Sequence, residues 1–236
     1  NRLMVTSPGL TFTGYALSNI GNSTYITKTG QDAYDSLGTS YSSGTFYIAY
    51  MVKIDTARTG DYFAALLPPT STTTFTARMY ARDTAGTISF GLSKGAASGG
   101  SIVYGANGFA YNSTIVVIVK YVFNTGSSTD DEMYLYVFNS SIPNSPPSSA
   151  YVGPITGTVA DAAAISRIAL RQGSASSSPS LYLDGIMATT SWSDFLTNSI
   201  RNISTVASDF SLSQNYPNPF NPSTSIKFSI PSNGNV

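Results

Sequence analysis

The stretch TFYIAYMVKI, residues 45–54, carries the strongest strand pattern in the sequence. Every second side chain from Phe46 to Ile54 is apolar, and so are the intervening side chains from Tyr47 to Met51. Successive side chains of an extended chain point to opposite faces, so both faces of this segment are apolar. Such a strand is typical of a central, buried position in a sheet. The sequence therefore predicts a β-sheet protein organised around residues 45–54.

The segments on either side extend this pattern. The stretch TIVVIVKYVF, residues 114–123, is almost wholly β-branched or aromatic and is predicted to be the most buried strand. Further short strands are predicted at Leu10–Tyr15, Ser23–Thr29, Tyr62–Leu67, Phe75–Arg82, Thr87–Ser93, Ile102–Tyr104, Glu132–Phe138, Ile165–Gln172 and Leu181–Ala188, with one short helix within Ser191–Ser204.

Roughly ten to thirteen short strands without alternating helices are typical of an antiparallel sandwich. The predicted fold is all-β: an antiparallel two-sheet β-sandwich of the jelly-roll type in residues 1–205. A tail rich in Pro and Asn, residues 206–236, follows it and carries one further strand.

Composition limits the chemistry that the chain can perform. Twelve basic residues balance twelve acidic ones, so no basic surface for nucleic acid is expected, and no apolar run is long enough for membrane insertion. The sequence has no Cys and no His, which removes the usual nucleophile–base pairs. Glu132 is the only Glu, whereas a glycosidase needs two suitably placed carboxylates. We therefore expect no enzyme and no catalytic residues, with a hydrolase as the least favoured function.

No cofactor is expected, apart from weak candidates for calcium. Asp130 and Asp131 are adjacent in a polar loop, and Asp184 follows a strand and precedes a glycine. Carboxylate oxygens are the ligands that calcium prefers. A solvated loop at Asp130 and Asp131, and a turn residue that bonds its own backbone at Asp184, explain the same residues without a metal.

Exposed aromatic side chains are candidates for binding. Tyr134 and Tyr136 share one face of the segment Glu132–Phe138, and Tyr80 lies between Arg78 and Arg82 on one strand. Aromatic faces stack on sugar rings, and aromatic and Arg side chains also form protein interfaces. Packing of the second face of a strand in the core is a third explanation, so the three alternatives stay open.

The C-terminal stretch LSQNYPNPFNPSTSIKFSIP, residues 212–231, combines regularly spaced Pro, Asn and Phe. It resembles the start of the C-terminal sorting domain carried by cargo of the bacterial type IX secretion system. That resemblance implies that the type IX secretion machinery is a partner during export. It also implies an extracellular or cell-surface location in a Bacteroidetes-type bacterium.

The larger domain resembles the concanavalin-like or laminin-G-like jelly-roll modules of secreted bacterial proteins. The resemblance rests on Phe90-Gly91-Leu92-Ser93-Lys94-Gly95, the strand end Ala169-Leu170-Arg171-Gln172-Gly173-Ser174, and Leu183-Asp184-Gly185-Ile186 leading to Ser191-Trp192. It implies binding to a polysaccharide or a role as a structural spacer. Three Asp-Ser/Thr triplets also resemble the O-glycosylation motif of exported Bacteroidetes proteins, which gives the candidate acceptors Ser36, Thr56 and Thr84.

The strand predicted at Ser225–Ile230 needs a partner, because a lone strand can neither pair its backbone groups nor bury its apolar face. Addition to the sheet edge of a neighbouring copy would supply one and would propagate into a homopolymer. The predicted assembly residues are Ile226, Phe228 and Ile230, with Tyr216 and Phe220 as anchors. The favoured function is thus a non-catalytic filament or surface-layer subunit. A secreted glycan-binding module is the alternative, and docking of the tail on its own sandwich stays open.

Overall fold

The computed structural model describes residues 2–95 and 101–197, together with the backbone of the residue pairs 211–212 and 228–229. Within these residues, apart from a 3₁₀ turn at Trp192–Phe195, the regular structure consists of strands. In chain order the strands are β1 (Met4–Thr6), β2 (Ser23–Ile26), β3 (Ala33–Tyr41), β4 (Gly44–Thr56), β5 (Asp61–Leu67), β6 (Thr76–Thr84), β7 (Thr87–Ser93), β8 (Val103–Tyr104), β9 (Thr114–Phe123), β10 (Glu132–Phe138), β11 (Val152–Ile155), β12 (Ile165–Leu170), β13 (Ser180–Thr189), β14 (Ser211–Leu212) and β15 (Phe228–Ser229).

Two antiparallel sheets form the first of two compact units, Asn1–Ser199. The seven-stranded sheet has the order β1-β2-β13-β4-β9-β10-β11, and the six-stranded sheet has the order β3-β12-β5-β6-β7-β8. Every pairing is antiparallel. The predicted all-β sandwich of jelly-roll type is confirmed.

Strand β4 occupies the middle of the seven-stranded sheet, as its two apolar faces predict. It pairs with β9 from Gly44↔Phe123 to Lys53↔Thr114 and with β13 on its other side. Its inner side chains, including Phe46 and Tyr50, join the core between the sheets. Burial of this interdigitated layer is the main favourable contribution to folding.

A second apolar cluster explains why the outer face of β4 is also apolar. Tyr47, Ala49 and Met51 are covered by Tyr15 and by Trp192 of the 3₁₀ turn, among others. The Trp192 indole N–H donates to the Pro143 carbonyl at 2.8 Å. The centre of the outer face of the seven-stranded sheet is thus closed by the chain itself.

Besides β1 and β11, which were not predicted, the structure differs from the predicted strands at two places. Leu10–Tyr15 was expected as a strand, but it forms turns, and Leu10, Phe12 and Tyr15 insert into the second apolar cluster. Strand β3 had no strand signal, because it is an edge strand whose side chains are mostly exposed and polar. Tertiary position overrides local pattern at both sites.

The second compact unit is Ile200–Val236, of which the structure describes β14 and β15. These two strands pair antiparallel, with Ser211 opposite Ser229 and Leu212 opposite Phe228. Across the described parts of both units, no helix has the length and apolar character needed to cross a membrane.

Candidate functional site

The outer face of the six-stranded sheet carries a cluster of Arg and Tyr side chains. Strand β6 directs Ala77, Met79 and Ala81 into the core, so the intervening residues point outward. We call the resulting surface the arginine–tyrosine face. Its members come from β5, β6 and β8 and from the residue that follows β12: Tyr62, Arg78, Tyr80, Arg82, Tyr104 and Arg171.

Three tyrosines form a row across the strands of this face. Strand register places Tyr62 opposite Tyr80, Tyr80 opposite Gly91, and Gly91 opposite Tyr104. The Tyr62 and Tyr80 ring centroids lie 5.6 Å apart, and those of Tyr80 and Tyr104 lie 6.2 Å apart. Gly91 makes the row continuous, because a Cβ at that position would lie 2.7 Å from Cδ1 of Tyr104. The Tyr104 ring therefore occupies the space that a side chain at Gly91 would fill.

Arginine side chains stack on the rings of this row. The guanidinium carbons of Arg171 and Arg78 lie 4.2 Å and 4.8 Å from the Tyr62 ring centroid. The guanidinium carbon of Arg82 lies 3.9 Å from the Tyr104 ring centroid. These are cation–π distances, and the rings hold the planes of the guanidinium groups in fixed orientations.

The positive charge of the face is only partly compensated. Arg171 pairs with Asp61 at 2.8 Å, and Asp61 also accepts a hydrogen bond from the Ser178 hydroxyl at 2.9 Å. Neither Arg78 nor Arg82 forms an ion pair with any carboxylate in residues 2–95 and 101–197, and the Nε of each is buried without a hydrogen-bond partner. Both guanidinium groups thus lack an anionic partner within the described structure.

Burial sets the protonation of the face. It raises the pKa of Tyr104 to about 12, and it also raises the pKa of Tyr80. Both phenols therefore stay neutral near pH 7 and keep their hydroxyl donors. Burial raises the pKa of Asp61, but hydrogen bonds from Arg171 and Ser178 outweigh it and hold that pKa below its usual range. Asp61 accordingly remains an anion paired with Arg171.

Arg167 extends the same sheet face toward β3. Its guanidinium carbon lies 5.0 Å from the Tyr34 ring centroid, and its side chain donates to the carbonyl oxygens of Pro68 and Ser71. Because those carbonyls already accept its N–H groups, Arg167 is less available to an external anion than Arg78 or Arg82.

Tyr134 and Tyr136 lie on the opposite sheet, beside a cleft of about 420 Å³ that Lys120 also lines. The Tyr134 hydroxyl donates to Glu132 at 2.7 Å, and the Lys120 ammonium lies 4.7 Å from the Tyr134 ring centroid. Tyr136 is 5% exposed and packs against Trp192. Of the aromatics singled out from the sequence, Tyr80 alone lies on the arginine–tyrosine face.

Asp130 and Asp131 lie together with Asp161, with one carboxylate oxygen of each within 4.8 Å of the others, whereas Asp184 is not part of this group. The ammonium of buried Lys94 lies 2.5 Å from Oδ1 of Asp161 and donates to the Thr129 carbonyl. A cation of the protein itself already lies against this acidic group. Asp184 instead accepts the backbone N–H groups of Leu10 and Gly185, as expected for a turn residue.

The remaining candidate residues are on the surface or in the second unit. Ser36 and Thr56 are exposed, whereas Oγ1 of Thr84 is buried without a hydrogen-bond partner, so the first two are the more accessible O-glycosylation candidates. Of the predicted assembly residues, Phe228 is described only as backbone of β15, and the other four lie outside the described residues: Tyr216, Phe220, Ile226 and Ile230.

Sequence reasoning missed Tyr62, Tyr104 and Arg171 as members of a site. Each of them lies on a different chain segment from Tyr80, and only strand pairing brings them together. The available signal was the Arg-x-Tyr-x-Arg pattern of residues 78–82, which places three large polar side chains on one face of one strand.

No protein-family model and no curated protein matches the chain. Among solved structures, it is similar to an alginate lyase mutant in complex with an alginate tetrasaccharide, at 15% identity and a TM-score of 0.47, over 76% of this chain and 86% of that chain. It is also similar to an alginate lyase from Pseudomonas aeruginosa (7% identity, TM-score 0.46, 76% and 86% covered) and to a galectin from Caenorhabditis elegans (12%, 0.38, 70% and 95%). Such low identities concern the fold alone, and the function depends on this chain's own side chains.

The prediction of a filament subunit joined by its C-terminal strand is wrong. Strand β15 pairs with β14 of the same chain, so the strand predicted to need a neighbouring copy has a partner within its own unit. The solved structures similar to this chain include alginate lyases and a galectin.

The prediction that the chain is not an enzyme is also wrong, because it excluded catalysis on composition alone. It rested on the scarcity of His, Cys and Glu, yet alginate lyases are among the similar structures. Tyr and Lys side chains also act as general acids and bases. The composition therefore does not exclude catalysis.

Proposed function

We propose that this chain binds an acidic polysaccharide on its arginine–tyrosine face. The observation that carries the proposal is the pair Arg78 and Arg82. Both are stacked on aromatic rings of one sheet face, and neither has a carboxylate partner within the described residues. The chain as a whole has zero net charge, whereas positive charge is concentrated on this face.

The chemistry of the face matches a sugar acid. A guanidinium group presents a planar fork of donors that fits a carboxylate with two parallel hydrogen bonds. The tyrosine rings beneath the guanidinium groups hold each fork in a fixed orientation, so little side-chain freedom is lost when a carboxylate binds.

The test is isothermal titration of the full chain with alginate, a polyuronate, and with the same polymer after its carboxyl groups have been reduced to alcohols. We expect binding to alginate that weakens as salt is added, because the contacts are ionic, and no measurable binding to the reduced polymer. Equal affinity for both polymers would contradict the proposal. Ultraviolet absorbance of unsaturated uronate ends, followed in the same samples, shows whether binding is accompanied by β-elimination.

Export to the cell surface or the medium, through the type IX secretion machinery, is part of the same proposal. The resemblance of residues 212–231 to the start of a sorting domain supports it. Acidic polysaccharides such as alginate are extracellular, so the location agrees with the proposed ligand. Fractionation of the source bacterium and detection with an antibody against residues 2–95 test this location, and protein found only in the cytoplasm would contradict it.

A further inference from the structure

The outer face of β6 repeats one arrangement at two positions. Arg78 lies opposite Ser93 of β7, and Arg82 lies opposite Ser89, with Tyr80 opposite Gly91 between them. The pattern Arg-x-Tyr-x-Arg thus faces Ser-x-Gly-x-Ser. Each arginine lies beside a buried serine whose hydroxyl donates to a loop carbonyl, Ser89 to Gly105 and Ser93 to Gly95.

Each of the two arginines has an aromatic support of its own. Arg78 lies over Tyr62 at 4.8 Å and over Phe75 at 5.6 Å, whereas Arg82 lies over Tyr104 at 3.9 Å. The two guanidinium groups are therefore oriented independently of each other. Tyr80 is 4% exposed and forms the floor between them.

The positions of the two guanidinium groups follow from the rings that support them. Tyr62, under Arg78, and Tyr104, under Arg82, lie on opposite sides of Tyr80, with ring centroids 5.6 Å and 6.2 Å from that of Tyr80, so the width of the tyrosine row separates the two groups. A single pyranose ring with one carboxylate is shorter than this width. One sugar acid can therefore engage one arginine only, and a longer chain is needed to engage both.

We propose that Arg78 and Arg82 form two separate carboxylate-binding subsites, which bind two acidic residues of one polysaccharide chain that crosses the strands along the tyrosine row. This inference rests on the proposed function and adds the direction of the chain and the unit that is recognised. The recognised unit is an oligouronate that spans both arginines, so affinity depends on ligand length.

A length series tests the inference. The full chain is titrated with mannuronate or guluronate oligomers, from the monomer to chains that exceed the spacing of the two arginines. A ligand that engages both subsites gains an effective concentration at the second one. We expect affinity to rise at least about tenfold at one oligomer length and to change little beyond it.

Variants of Arg78 and Arg82 show whether these two residues produce the stepwise rise in affinity with oligomer length. Arg78→Gln or Arg82→Gln should each remove most of the step, so that the long oligomer binds at least about tenfold more weakly, because one charged hydrogen-bonded pair is lost. Arg82→Lys should lose most of it as well, because Lys keeps the charge without the planar fork. The matched control is Lys53→Gln, which removes one cation stacked on a tyrosine of the other sheet and should leave the step unchanged. Unchanged thermal unfolding midpoints show that the variants fold.

The outcomes separate the two proposals. Binding of alginate with affinity that rises smoothly with length, and with no step that the Arg variants remove, would overturn the two subsites and leave polysaccharide binding intact. Absence of binding to every oligomer and to the polymer would overturn the proposed function, and the two subsites with it.

Discussion

At the scale of single residues, the arginine–tyrosine face depends on one glycine. Gly91 has no side chain, and the Tyr104 ring lies where a Cβ of residue 91 would be. The Tyr104 ring in turn supports the Arg82 guanidinium group. The sequence shows Gly91 as an interruption in a strand pattern, and a close approach by another group is one reason for such an interruption. Only the pairing of β7 with β8 identifies Tyr104 as that group.

We predict that Gly91→Ala destabilises the protein by about 1–3 kcal/mol, because the added methyl group overlaps the Tyr104 ring. In a Tyr104→Ala background the same substitution should cost much less, since the ring is gone. Urea denaturation of the four proteins of this double-mutant cycle gives the coupling between the two positions. Equal costs in the two backgrounds would show that the ring is not responsible.

The ion pair between Asp61 and Arg171 gives a pH dependence. The pKa of Asp61 is lowered below its ordinary value of 3.8. Its contribution to stability is therefore complete above that value and is lost as the pH falls through the lowered pKa. Asp61→Asn should reduce stability by about 1–2 kcal/mol near neutral pH, and the difference from the unsubstituted protein should close in strong acid. Thermal unfolding at a series of pH values measures it, with exposed Asp55→Asn as the control; a difference independent of pH would contradict the ionic pairing.

At the scale of elements, strand pattern predicted the sheets better than it predicted their loops and edges. Strands β4 and β9 were evident because both of their faces are buried. Strand β3 was not, because an exposed polar edge strand carries no apolar alternation. The outward position of Tyr80 also followed from alternation. The rest of the face depends on which strands are neighbours, and a periodic pattern within one strand does not contain that information.

Lys94 joins the end of β7 to the loops that precede β10 and β12. Its ammonium bonds both Asp161 and the Thr129 carbonyl, and it is 1% exposed. Asp161→Ala should cost about 3 kcal/mol of unfolding free energy, because it leaves a buried charge without its carboxylate. The double variant Lys94→Met with Asp161→Ala should recover part of that loss in urea denaturation. No recovery would show that the ion pair is not the source of the cost.

The same ammonium leads to a prediction about calcium. Asp161 is already paired with Lys94, and Asp131 accepts hydrogen bonds from the Tyr121 hydroxyl and the Asn124 N–H. We expect neither added calcium nor a chelator to change the thermal unfolding midpoint. A midpoint that rises with calcium concentration would show that the ion binds the native state.

At the scale of the whole molecule, the two outer sheet faces differ in role. The chain itself covers the centre of one with Tyr15, Trp192 and Phe195, whereas the other carries arginines that lack anionic partners within the described residues. Composition correctly indicated a β-sandwich, but it was misleading for function. Zero net charge and scarce His and Glu describe the average of the chain, whereas binding depends on how a few side chains are grouped.

The most direct test of the central claim compares alginate binding by the full chain with binding by the double variant Arg78→Gln/Arg82→Gln, with Lys53→Gln as the control. Loss of two charged hydrogen-bonded pairs should weaken binding by about a hundredfold or more, while the control changes little. The measurement is a calorimetric titration at low salt, on proteins with matched unfolding midpoints. Alginate affinity unchanged in the double variant would contradict the assignment of binding to the arginine–tyrosine face.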